Sequence, residues 1–123
     1  MQNEFSVFLT SSVTSKQIFD HIHQIWKVRL EEYENDYGDI DSRSTVYGVA
    51  LILNSNRSYK DDKELILSRY PHELSFEVSN DTYANERNAV AEALAMLFAK
   101  TFCDKHNANC TVAKNLEYLI YSR

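Results

Sequence analysis

The sequence predicts an α+β protein: an antiparallel or mixed sheet of four to five strands with two long helices on one face, in the order β-α-β-(β)-β-α-β. Three observations lead there. Two segments, 14–36 and 80–105, carry helical periodicity with end signals; several others alternate apolar and polar residues or run β-branched and aromatic; and no internal repeat divides the chain. A ferredoxin-like split βαβ is the nearest common topology. With 123 residues, 44% of them hydrophobic and 12% aromatic, residues 1–123 form one packed domain.

Taken in order, Glu4 to Leu9 alternates with Phe5, Val7 and Leu9 on one side, the period of a half-buried strand. Thr14 with Gln17 three residues later is a capping box, and Val13 can staple onto Ile18, so a helix starts here. Ile18, Ile22, Ile25, Trp26, Arg29 and Tyr33 share one face of it, widened by Phe19, Leu30 and Tyr37. Its expected end is near Asp36, with Gly38 as the left-handed cap.

Ser44 to Asn54 is nearly continuous in apolar character and reads as one central strand, covered on both faces. Asp61 with Glu64 can cap a short helix, and Leu65-Ile66-Leu67 suits a strand equally, the reading taken here. The chain turns at Pro71, and Glu73 to Val78 alternates with Leu74, Phe76 and Val78 inward and Glu73, Ser75 and Glu77 outward. Asn80-Asp81-Thr82 offers caps for a second helix whose apolar face is Val90, Leu94, Leu97, Phe98 and Phe102, with alanines 91, 93, 95 and 99 allowing close approach. Lys105 and a left-handed Asn107 or Asn109 suit its end, and Leu116 to Tyr121 makes the last strand.

Several function classes lose their support. Two glycines, Gly38 and Gly48, leave little for phosphate loops or primed hairpin turns, and no signature of a nucleotide enzyme, zincin or nucleophile-elbow hydrolase is present. No signal peptide or membrane-spanning stretch is read, so the expected location is cytoplasmic with no membrane partner. His21 and His23 lie about 200° apart on a helix and cannot serve one site; both are expected to flank its buried face. Cys103, His106 and Cys110 carry one half of a paired-knuckle zinc spacing, with His72 or Asp104 as a conceivable fourth ligand. Buried thiols are the simpler expectation, and no cofactor or metal is assigned.

Charge is the informative feature. The net charge of −5 argues against nucleic acid as partner. Residues 31–41 hold six acids and no base, leaving 12 acids against 13 bases elsewhere, a net of +1. A solvated loop explains this run blandly, though carboxylates at a helix C-terminus face the negative end of its dipole. The sharper expectation is a docking surface for a basic protein: Glu31, Glu32, Glu34, Asp36, Asp39 and Asp41 steer association, and Tyr33 and Tyr37 supply anchors.

A small, acidic, motif-poor α+β chain with a tyrosine-bearing acidic stretch resembles the immunity proteins of bacterial toxin systems, including those of contact-dependent growth inhibition. The resemblance rests on size and composition and transfers no residue. It implies an inhibitor that binds a cognate toxin domain, commonly a nuclease, and blocks its active site or a nearby exosite. Separately, no catalytic residue is assigned, and the chain is expected to be a monomer or weak homo-oligomer. The alternative is a small ligand-binding or enzymatic α+β domain with a cleft between sheet and helices, lined by His72, His106 or tyrosines. A third expectation is self-association along an exposed edge such as Leu116 to Tyr121.

Overall fold

The computed structural model describes residues 3–34, 38, 40–55, 70–79 and 83–123. Among them the chain runs β1 (Asn3–Leu9), α1 (Ser15–Trp26), β2 (Glu31–Glu34), β3 (Ile40–Val46), β4 (Val49–Asn54), β5 (His72–Val78), α2 (Ala84–His106), β6 (Cys110–Lys114) and β7 (Tyr118–Ser122). All strands join one sheet in the order β2-β3-β4-β5-β1-β6-β7, with every neighbouring pair antiparallel. The α+β class stands; the sheet exceeds the expected four to five strands, and its order does not establish the ferredoxin-like arrangement.

The additional strands have three sources: the segment read as one central strand is a hairpin, β2 occupies the stretch read as the end of the first helix, and β6 precedes the last strand, which was read as Leu116 to Tyr121 and runs Tyr118–Ser122. Ser44 to Asn54 folds back at Tyr47-Gly48, where φ is 50 and 77, the left-handed pair of a primed turn. A lone glycine thus makes a turn that composition argued against. The C-terminal run turns at Asn115-Leu116, with φ of 52 and 59 and no glycine at all. Asn115 tolerates that geometry because its side chain and backbone are both used: Oδ1 accepts from the Glu4 amide at 2.9 Å, and its own amide donates to the Glu4 carbonyl at 2.7 Å. Tyr47 is 78% exposed and gains little from its position. Tyr47→Asn, which suits the left-handed region, is expected to stabilise the protein by about 0.5–1 kcal/mol, read as a Tm higher by roughly 2–5 °C.

Helix α1 starts as its cap signals require: Gln17 donates its amide to Thr14 Oγ1 at 3.1 Å, and the Thr14 amide donates to Gln17 Oε1 at 2.9 Å. Its end is a correction. The helix stops at Trp26 with Lys27 as the left-handed cap, φ 59, rather than near Asp36 with Gly38. Ending there keeps Glu31, Glu32 and Glu34 away from the negative helix terminus, and pairing with β3 satisfies their backbone instead. The apolar 3.6-residue spacing through Tyr33 was therefore a coincidence of a helix followed by a strand.

One face of the sheet carries the core. Val7 lies between Leu74 and Val112, and Phe76 between Phe5 and Leu51, all buried under α2. On α2 the buried stripe is Ala91, Leu94, Ala95, Phe98, Ala99, Phe102 and Cys103. Val90 and Leu97, expected inward, are exposed, as is Ala93, because Ala91, Ala95 and Ala99 let the backbone approach the strands closely. Asn107 takes the expected left-handed cap, φ 49. An aromatic column ties the layers: Phe76 to Trp26 of α1, Trp26 to Phe98, Phe98 to Phe102, and Phe102 to His106. The readings at Asp61 to Leu67 and at Asn80-Asp81-Thr82 lie outside the described residues.

The second face of the sheet is not simply solvated, another departure from expectation. Glu73 and Ser75 are buried with Ser6, Phe8, Thr111 and Ala113. Tyr70 tilts over Phe8 at 6.4 Å and accepts a hydrogen bond from Thr111 at 3.1 Å, and Leu116 packs beside it. No helix among the described residues is long and apolar enough to cross a membrane.

Candidate functional site

Strand β2 is a terminal strand of the described sheet, and all four of its residues are exposed. Its register on β3 sets Glu31 opposite Arg43, Glu32 opposite Ser42, Tyr33 opposite Asp41 and Glu34 opposite Ile40. Directly opposed residues share a face. Glu31, Tyr33, Asp41 and Arg43 therefore stand on the second face of the sheet, while Glu32, Glu34 and Ile40 stand on the other. Residues Glu31–Glu34 are a strand edge presenting carboxylates on both sides.

Of the eight expected partner-binding residues, Glu31, Glu32, Tyr33 and Glu34 are brought together on this strand, and Asp36, Tyr37 and Asp39 lie outside the described residues. Asp41 differs from the rest. It is 5% exposed, and Arg43 Nη2 reaches its Oδ2 at 3.4 Å. The same guanidinium lies 4.1 Å from the centre of the Tyr33 ring. Asp41, Arg43 and Tyr33 thus form one assembly in which a carboxylate holds the cation and the cation stacks on the ring, fixing Tyr33 in place while leaving it 47% exposed. Asp41 positions this assembly and offers no surface charge of its own.

Arg43 is the residue that sequence reasoning missed. It lies two places beyond Asp41 on a strand, hence on the same face, but that relation was hidden while the strand was taken to begin at Ser44. Deeper on the second face, the Ser6 and Ser75 hydroxyls donate to Glu4 Oε1 at 2.9 and 3.2 Å. Glu77, directly opposite Glu4, has its carboxyl raised above the usual range by burial first and then by the Glu4 charge, against the pull of Arg43.

On the helical side a depression of about 260 Å3 lies beside Phe19, Asp20, His23, Arg29 and Leu30. Phe19 and Leu30 give it an apolar floor, and Leu30 immediately precedes β2. The acidic edge and this depression are therefore contiguous along the chain. Arg43 stands opposite Glu31, and the exposed Lys27 and Arg29 lie just before β2 in the chain, so the acidic strand has cations next to it.

The other candidates separate. His72 Nδ1 is 2.9 Å from Ser55 Oγ, which is 2.8 Å from Ser15 Oγ at the start of α1. His106 packs on the Phe102 ring at 4.4 Å instead. Cys103 and Cys110 are brought together as buried free thiols; a hydrogen bond from Cys110 holds the Cys103 thiol below its usual range and pushes that of Cys110 up. No group of three or more His, Cys, Asp or Glu among the described residues is arranged to hold a metal. Tyr47, Tyr83 and Tyr118 are exposed at turns and an edge, apart from the acidic strand.

Comparison with protein families, with curated proteins and with solved structures found no match.

Proposed function

We propose that this chain is a cytoplasmic immunity protein that neutralises a basic, nuclease-type toxin domain by docking it on the β2 edge. The observation that carries the reading is the row Glu31, Glu32, Tyr33 and Glu34 on a terminal strand: three exposed carboxylates around an aromatic ring already held by Arg43. Carboxylates on both faces attract a cationic surface from either side. The stacked ring offers contact area at small entropic cost, the combination that interface anchors use. Asp36, Tyr37 and Asp39, which lie outside the described residues, are assigned to the same docking role from the sequence alone.

The protein encoded next to this one is the partner to test. Reversing Glu31, Glu32 and Glu34 to Lys together is expected to lower the association rate for a basic domain at least about tenfold and to flatten the dependence of binding on salt. Stopped-flow binding at two ionic strengths reads both. Unchanged kinetics in the triple variant sink the assignment of this edge.

A second reading, a small enzymatic or ligand-binding domain with a cleft between sheet and helices, has the Ser55–His72 contact in its favour, since a hydroxyl bonded to an imidazole is the pairing a nucleophile needs. His72 and His106 do not meet, however, and the depression beside Phe19 is lined by neither. The same contact ties the ends of β4 and β5 to the start of α1, which accounts for it without chemistry.

A further inference from the structure

Helix α2 carries a second ordered stripe that the fold does not use. On the side opposite its buried face, Glu86, Val90, Ala93, Leu97, Lys100 and Asp104 recur at intervals of 4, 3, 4, 3 and 4, and every one is exposed. That is the spacing of a heptad seam, the ridge along which two helices pack. Its centre is apolar: Val90 is 38% and Leu97 46% exposed, with Ala93 between them. A single-layer helix normally turns a polar side to water, so three apolar residues in one outward line call for a cover.

The charges say which cover fits. Glu86 and Lys100 each lie seven residues from Ala93, one on either side. Read outward from Ala93 in either direction, the ridge gives an apolar side chain and then a charge, and the two charges have opposite sign. A second copy laid antiparallel, with Ala93 on the two-fold axis, sets Val90 against Leu97 and Glu86 against Lys100, each contact occurring twice. A parallel copy would oppose Glu86 to Glu86 and Lys100 to Lys100. Antiparallel packing also opposes the two helix dipoles, and Ala93 allows the axes to approach closely at the centre.

We infer that α2 forms the two-fold interface of a homodimer, in which the Glu86–Val90–Ala93–Leu97–Lys100 ridge packs antiparallel on its own copy. The interface is isologous, as closed dimers require. Neighbouring groups leave it available. Lys100 Nζ lies 5.5 Å from the centre of the Tyr121 ring, a reach its flexible stem can exchange for Glu86 of the second copy. Asp104 is bound to Arg123 at 3.1 Å and closes the ridge at one end. Thr101 and Lys105 point instead to α1, bonding His21 and Gln24. With one Val, one Ala and one Leu per helix the contact falls below a standard interface in area, so the dimer is weak, with a Kd on the order of tens to hundreds of micromolar. This interface is remote in sequence from the β2 edge and does not depend on the function proposed for it.

Sedimentation equilibrium of the full chain from about 10 μM to about 1 mM covers that range. The mass is expected to rise toward twice that of the monomer. Leu97→Glu should abolish the rise, and Glu86→Lys or Lys100→Glu alone should weaken association about tenfold or more. The double variant Glu86→Lys/Lys100→Glu should restore it, because antiparallel pairing requires opposite signs and not a particular order. All three positions are exposed, and far-UV circular dichroism confirms that each variant folds. A wild-type chain that stays monomeric at the highest concentration overturns the inference. So does a dimer that ignores the single reversals, or one that the double reversal fails to rescue.

Discussion

Phe98→Ala should be the most damaging single truncation in the helical layer, lowering the unfolding free energy by about 3–5 kcal/mol. Phe98 has no exposed surface and is the junction of the aromatic column. Its ring stacks at 5.2 Å on Phe102 and at 6.4 Å on Trp26, and it meets the edge of His21 at 5.3 Å. Removing it opens a cavity bounded by both helices and the sheet. The neighbours are large, planar and already packed against other rings, so collapse into the space is limited. Against a total stability of about 5–15 kcal/mol for a domain of this kind, the loss is a large fraction, and urea unfolding followed by circular dichroism reads it as a lower midpoint at similar slope. Val90→Ala on the same helix, at an exposed position, is the internal contrast and should cost less than about 1 kcal/mol. Comparable losses at the two positions would mean that α2 is not buried along the stripe described.

The class of this fold was legible because its signals are local. The capping box at Thr14 and Gln17, the alternation of Phe5, Val7 and Leu9, and that of Leu74, Phe76 and Val78 each depend on residues within one turn or one strand. The box forms as read and the six apolar residues are buried, although Ser6, Phe8, Glu73 and Ser75 between them are buried as well. What could not be read was where the chain reverses. Tyr47-Gly48 and Asn115-Leu116 are tight turns whose left-handed backbone is imposed by the strands on either side, and Tyr and Leu do not announce it. Apolar content alone cannot divide Ser44 to Asn54, since both halves are strand-like. The stripe on α2 was read correctly at Leu94, Phe98 and Phe102 and wrongly at its margin: large residues drew attention to Val90 and Leu97, while close packing on the sheet selected Ala91, Ala95 and Ala99.

At the acidic edge the sequence marked the residues and misjudged their setting. Composition located Glu31 to Asp41 as the anomalous stretch, and Glu31, Glu32, Tyr33 and Glu34 do stand exposed together. Treating the stretch as the end of a helix made the acids one equivalent group. A strand instead sorts them by alternation and by register, so that Asp41 turns inward to Arg43 while Glu32 and Glu34 turn to the opposite face. Pairing partners on β3 decide this, and pairing is a long-range property that one sequence does not display.

Acidification should weaken the contact between the two helices, and His21 sets the range. His21 is 4% exposed, lying edge-on to Phe98 and Phe102, with Nε2 at 2.8 Å from Thr101 Oγ1. The Thr101 hydroxyl donates its proton to the Leu97 carbonyl at 2.7 Å, so Nε2 must be the donor toward Thr101, and Nδ1 carries a bare lone pair buried without a partner. A second proton on Nδ1 would be a charge among aromatic rings. Burial first, and then the Lys105 and His106 charges, lower the pKa of His21 to about 4 from 6.5. The unfolded chain takes up this proton as pH falls through 6.5, and the folded protein resists until about pH 4. The contribution of His21 is therefore fully present above pH 6.5 and lost between 6.5 and 4, up to about 3 kcal/mol in all. Raised as it is, Glu77 works in the opposite sense, which is why the variant comparison matters more than the wild-type curve. His21→Gln keeps a donor for Thr101 and cannot titrate. Urea midpoints measured at pH 7 and pH 4.5 should fall less in His21→Gln than in the wild type, by most of that amount. Parallel declines in the two proteins would place the acid sensitivity elsewhere.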